Sequence, residues 1–163
     1  MARLIKEVAR EAADLVLDDF WDGEFPVDPM RIAEALQIEV WTANLGPDVS
    51  GKIVKEANAN ARIYLNRDEI ETRQNFTCAH ELGHWWERRE RGDTEFSFVE
   101  HRGQLRNAHE WYAEHFAANL LMPATEFTAE CEDGARVRDL MRIFGVSRAA
   151  ALQRCRSLGL EIG

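Results

Sequence analysis

A chain of 163 residues with 45% hydrophobic content is long enough to bury a core without covalent staples, and suits one domain with or without a small helical appendage. Its formal net charge of −9 argues against general nucleic-acid binding, which draws on clustered Lys and Arg. Cys78, Cys131 and Cys155 are odd in number and share no CxxC spacing, which speaks against a disulfide framework or thiolate metal site and for a reducing, cytoplasmic setting.

The first twenty residues scatter acidic and basic side chains through their apolar positions, so they read as an amphipathic helix rather than a signal peptide or membrane span. The helix is expected over Arg3 to Phe20, with Leu4, Val8, Ala12, Leu15 and Phe20 near one stripe, and Gly23 to Pro26 end it. A short second helix follows Pro29 and carries Ile32, Ala35 and Leu36. Three short strands are expected next, at Ile38 to Thr42, Gly51 to Lys55 and Ala61 to Leu65; in the last, Ile63 and Leu65 alternate with Arg62 and Tyr64. Gly46-Pro47 and Asn58-Ala59-Asn60 are the turns of a small meander.

Asn66, with Glu69 three residues on, has the form of a capping box and opens a helix running to about Glu90. Phe76, Ala79, Gly83 and Trp86 make its inward stripe. A glycine inside a helix costs about 1 kcal/mol relative to alanine, so Gly83 marks the close approach of another backbone. Arg88 to Thr94 reads as the end of that helix and the start of a loop, Gln104 to Leu121 as a helix ended by Pro123, and the chain from about Thr125 as helical with a break at Gly145-Val146-Ser147. This last part is basic: from Gly134 onward Arg136, Arg138, Arg142, Arg148, Arg154 and Arg156 face only Asp139 and Glu161. The class is α+β, with a three-stranded antiparallel or mixed sheet packed on two helices. Residues 1–123 form the core and 124–163 a C-terminal helical extension packed on it.

Within the long helix stands His80-Glu81-Leu82-Gly83-His84. Residues four apart on a helix share one face, so both imidazoles reach one metal ion, while Glu81, a quarter-turn round, points beside it at a water. A catalytic zinc takes three protein ligands and keeps a fourth position for water. The extension that supplies a glycine and a third histidine shortly after the motif is absent, because Glu87 and Glu90 stand there. The other common arrangement draws a glutamate from a downstream helix, and Glu110 is the best candidate. Glu114, one turn on, suits an acceptor for the outward N–H of a ligating histidine. The reverse assignment, with Glu114 as ligand, is also open, as are surface ion pairs of both glutamates with Arg102 or Arg106. Glu81 then serves as general base and later hands its proton to the leaving amine. Tyr64, His109, His115 and Arg106 are all chemically able to stabilise an oxyanion, and the sequence does not choose among them. Cys78, two residues before His80, reads as a small apolar filler rather than a nucleophile.

The run from Asn75 to His84, Asn-Phe-Thr-Cys-Ala-His-Glu-Leu-Gly-His, and the run from Glu110 through Ala113, Phe116, Ala117, Leu120, Leu121 and Met122 to Pro123 together resemble the ImmA/IrrE zinc metallopeptidases. Ser50-Gly51, Ile63-Tyr64-Leu65-Asn66, Phe144-Gly145-Val146-Ser147 and Leu158-Gly159-Leu160 extend the likeness over most of the chain. The resemblance implies a small zincin-like domain, with His80, His84 and Glu110 as Zn2+ ligands and Glu81 as general base. It also implies a protein substrate, a helix-turn-helix repressor or an antitoxin-like partner belonging to a mobile element, prophage or stress response. One departure stands out: the family often has Asn after the motif alanine, where this chain has Glu114. Two other readings remain beside the peptidase: a zinc-containing regulatory binding module with little hydrolysis, and a DNA-binding regulator acting through the basic C-terminal helices. Histidine and carboxylate ligands serve manganese as well as zinc.

Overall fold

The computed structural model describes residues 3–103 and 107–162. Along the chain run α1 (Ile5–Phe20), α2 (Pro29–Ala35), β1 (Glu39–Ala43), β2 (Val49–Lys55), β3 (Arg62–Asn66), α3 (Glu71–Glu90), β4 (Phe96–His101), α4 (Ala108–Leu121), α5 (Ala124–Glu132), α6 (Val137–Phe144) and α7 (Arg148–Leu158). The strands form one mixed sheet in the order β1-β3-β2-β4, with β1 parallel to β3 and both other pairs antiparallel. The class is α+β, as expected, but the sheet has four strands rather than three. The fourth, β4, is the alternating run Phe96-Ser97-Phe98-Val99-Glu100-His101, whose period of two marks a strand. It follows Arg88 to Thr94, the stretch expected to end the helix and start a loop. The proposed onset of the next helix at Gln104 falls outside the described residues; its described part begins at Ala108, capped by the Asn107 side chain, which accepts from the Glu110 N–H at 3.0 Å.

Helix α1 turns a different face inward from the one expected. Ala9, Ala12, Ala13, Val16 and Leu17 are buried, while Leu4 and Leu15 are 56% and 55% exposed. The buried set has the i, i+3, i+4, i+7, i+8 spacing of a full helical stripe, and its small alanines let α1 lie close to α4. In α2 Ile32 and Ala33 are buried, whereas Ala35 is exposed. Asp28 caps that helix and Pro29 opens it.

Asn66 does not cap α3. It is the buried last residue of β3, and its side-chain amide donates to the Gly46 and Val49 carbonyls at 2.8 Å each while its oxygen accepts from the Asp68 N–H at 3.1 Å. With its polar groups committed to the two loops beside the sheet, α3 starts later, after Ile70, without a side-chain cap.

Helix α3 is the centre of the molecule, lying on β2 and β3 with one flank and on α4 with another. Gly83 makes the second contact. A Cβ there would stand 3.0 Å from the Cα of Ala113 and 3.1 Å from the Cβ of Phe116, so the missing side chain lets the helices touch. The C-terminal helices join the same hydrophobic core through Phe127, Leu140, Phe144, Val146 and Ala151. Gly145, in the left-handed conformation, ends α6, and Ser147 caps α7 by accepting from the Ala150 N–H at 3.1 Å. Arg154 of α7 is buried: its Nε donates to the Met122 carbonyl at 2.9 Å and Nη2 to the Asn119 side-chain oxygen at 3.0 Å. One arginine of the basic segment therefore serves the packing of α7 against the end of α4.

Candidate metal centre

The middle of α3 carries its polar residues inward. His80 is 1% exposed, and Glu81 and His84 are fully buried. A helix tolerates such a run only where other elements supply compensating groups, and here those come from α4 and β4. The Glu110 carboxylate spans both imidazoles, with Oε2 at 2.8 Å from His80 Nε2 and Oε1 at 3.1 Å from His84 Nε2. Glu114, one turn further along α4, places Oε1 3.1 Å from the other ring nitrogen of His80, Nδ1. From β4, Glu100 Oε2 stands 2.9 Å from His80 Nε2, and the Phe98 ring lies flat on the His84 ring, with centroids 4.0 Å apart and planes 5° from parallel.

Charge and hydrogen bonding at this point do not close within the protein. His80 Nε2 has at most one proton to give and hydrogen-bonds Glu110, so the buried Glu100 Oε2 beside it receives none. Neither oxygen of Glu81 has a hydrogen-bond partner among the described residues, nor has His84 Nδ1. Donor atoms of His80, Glu81, His84 and Glu100 all lie within 4.8 Å of one another. Buried, unpaired acceptors of one sign cost several kcal/mol unless a cation joins them. Four donors held tetrahedrally at about 2.0–2.1 Å from zinc stand roughly 3.3 Å apart. The separations of 2.8, 2.9 and 3.1 Å, which involve both Glu110 oxygens, are of that order, so the donor set suits a small cation.

The titration of these groups follows from the same geometry. Burial raises Glu81 to about 8, with the Glu100 and Glu110 charges pushing the same way against the pull of His80. Burial also works against a charged His80, but its contacts with Glu100, Glu110 and Glu114 prevail and raise it well above the usual imidazole value. His84 is lowered, chiefly by burial. Burial would raise Glu110, but the two histidines outweigh it and hold its carboxyl well below the usual range. Burial pushes the Cys78 thiol far up, which suits an apolar filler and not a nucleophile.

Of the residues singled out from sequence, the structure brings His80, Glu81, His84, Glu110 and Glu114 together. The candidates for oxyanion stabilisation part company. Tyr64 sits on the sheet face opposite the buried Ile63 and Leu65, with Lys52 Nζ 5.0 Å from its ring centre. His109 turns to α3 below the motif, its Nδ1 2.9 Å from Glu87 Oε1. His115 lines a cleft of about 1050 Å3 that ends at His80, Glu100 and Glu114 and is walled on the far side by Ala149, Ala150, Gln153 and Arg154 of α7. Arg106 falls outside the described residues. Glu100 is the residue that sequence reasoning missed, and the alternation of Phe96, Phe98 and Glu100 was the signal that could have found it.

Among the described residues no helix is long and apolar enough to cross a membrane. No curated protein matches the chain. The model of the IrrE N-terminal-like domain, Peptidase_M78, matches residues 33–156, a span that contains every residue of the His/Glu centre and the α7 wall of the cleft. The chain belongs to this family of metallopeptidases.

Proposed function

We propose that the chain is a zinc endopeptidase in which Nε2 of His80, Nε2 of His84 and the Glu110 carboxylate hold the ion, and Glu81 is the general base. The observation that carries this reading is the pair of contacts from one Glu110 carboxylate to both motif imidazoles, beside a buried Glu81 with no hydrogen-bond partner. Zinc bound there supplies a Lewis acid that polarises a scissile carbonyl and makes water acidic near neutral pH. Glu114, with Oε1 3.1 Å from His80 Nδ1, is placed to orient that ring once Nε2 holds the ion. Glu81 takes a proton from the attacking water and returns it to the leaving amine. His115, on the cleft wall, is the candidate for steadying the oxyanion.

The proposed substrate is a protein partner, a helix-turn-helix repressor or antitoxin-like protein, a reading that rests on the family likeness. The test is co-expression with the helix-turn-helix protein encoded beside it, comparing wild type with Glu81→Gln. Wild type should cleave the partner once or a few times, and Glu81→Gln should bind one zinc equally well and leave the partner intact. Cleavage persisting in zinc-loaded Glu81→Gln would refute the assignment of the base, and an uncut partner with wild type would refute the substrate class.

A further inference from the structure

We infer that Glu100 is a fourth protein ligand to the ion, and that the resting site is thereby closed. The inference rests on the zinc reading above. A catalytic zinc keeps one of its four positions for water; with His80, His84 and Glu110 in three, Glu100 Oε2 stands beside the same His80 nitrogen that Glu110 contacts. That oxygen is buried, receives no hydrogen bond, and lies 2.9 Å from His80 Nε2, against 2.8 Å for Glu110.

Three features of the fold aim it there. Opposite Glu100 in the ladder is Gly51, and the register between β2 and β4 slips between Val49 and Gly51, a bulge of the kind that redirects a side chain. Gly51 has no room for a side chain: a Cβ would meet the Cγ2 of Thr77 at 2.5 Å, so β2 presses on α3 one turn before His80 and carries its β4 partner over the motif. Two residues before Glu100, Phe98 stacks on His84 and covers the other flank. The inward face of β4 thus lies as a strap across both imidazoles. The cleft ends at Glu100 and His80 and does not reach Glu81, so a peptide carbonyl approaching the base must displace the Glu100 carboxylate.

The test uses the full chain loaded with cobalt(II), whose visible absorption reports ligand number and exchange, titrated with azide as a small competing ligand. With Glu100 coordinated, azide should leave the wild-type spectrum unchanged. It should shift the spectra of Glu100→Ala and of the near-isosteric Glu100→Gln at concentrations at least tenfold lower. Zinc affinity, measured against a chromophoric chelator, should fall about tenfold or more in both variants. A wild-type spectrum as sensitive to azide as that of the variants would overturn the closed site while leaving the three-ligand reading intact. A wild-type chain that takes up neither cobalt nor zinc would overturn both.

Discussion

Replacing Gly83 by alanine sets two effects of opposite sign against each other. In an exposed helix interior the change would stabilise by about 1 kcal/mol. Here the new methyl would stand 3.0 Å from the Ala113 Cα, 3.1 Å from the Phe116 Cβ and 3.2 Å from its Cδ1, where carbon atoms prefer about 3.5–4.0 Å. The obstructing atoms are backbone and ring root of a buried helix, not the tip of a flexible chain, so relief requires α3 and α4 to separate by about half an ångström. Such overpacking costs about 1–3 kcal/mol, and the upper part of that range applies, leaving Gly83→Ala destabilised by about 1–2 kcal/mol. At roughly 2–4 °C per kcal/mol for a chain of this size, thermal unfolding of the metal-free protein should fall by about 2–8 °C. The same separation carries Glu110, one turn from Ala113 on α4, away from His80 and His84, so zinc affinity should drop about tenfold in chelator competition. A metal-free Gly83→Ala protein that melts at or above the wild-type temperature would refute the reasoning, because the propensity gain would then have met no opposing contact.

Chelation offers a larger effect. Zinc at a thousand times its dissociation constant stabilises by about 4 kcal/mol, so removing it with EDTA should lower the melting temperature by roughly 8–16 °C, and Glu81→Gln should respond equally. An unchanged melting curve would count against a metal buried between α3 and α4. The buried Arg154 should couple to Asn119, whose side-chain oxygen it holds and whose amide in turn donates to the His115 carbonyl at 2.7 Å. Arg154→Ala and Asn119→Ala should each destabilise by about 2–3 kcal/mol to urea, and the double variant by at least 1 kcal/mol less than their total. Additive losses would mean the two side chains act separately.

What was legible beforehand was what local spacing governs. His80 and His84 share a face because four residues nearly complete a helical turn, and Glu110 and Glu114 repeat the argument on α4. The opposing glycine was legible too, since Gly83 is expensive unless a neighbour needs the space. Tyr64 could have been set aside on the same terms: with Ile63 and Leu65 inward, a period of two sends it to the other face. His109, next to Glu110, is turned about 100° around α4 and meets Glu87 instead. Glu100 was harder to see, because the alternation of β4 marks a strand but not which site its carboxylate meets. It reaches the motif through the pairing of β4 with β2, a long-range contact, and through a bulge that shifts the register by one residue. The α1 stripe misled for another reason. Leu4, Val8 and Leu15 are the larger apolar residues, but the close contact with α4 selects the alanines.

Two residues without side chains decide how the site is held. Gly83 admits α4 to one flank of α3 and brings Glu110 between the two imidazoles, and Gly51 admits β2 to the other flank and brings Glu100 over the same His80 nitrogen. Neither glycine touches the centre, yet each sets the distance of one carboxylate from it. The two supports differ in rigidity. Glu110 lies in a buried helix packed along α3 and against α1, whereas Glu100 lies on the outer strand of the sheet, near its end, with exposed residues alternating along it. Outer strands and chain segments near loops open at lower free energy than core helices. If one carboxylate yields when a substrate enters, the fold selects Glu100, and the helix-borne glutamate keeps its place between the histidines.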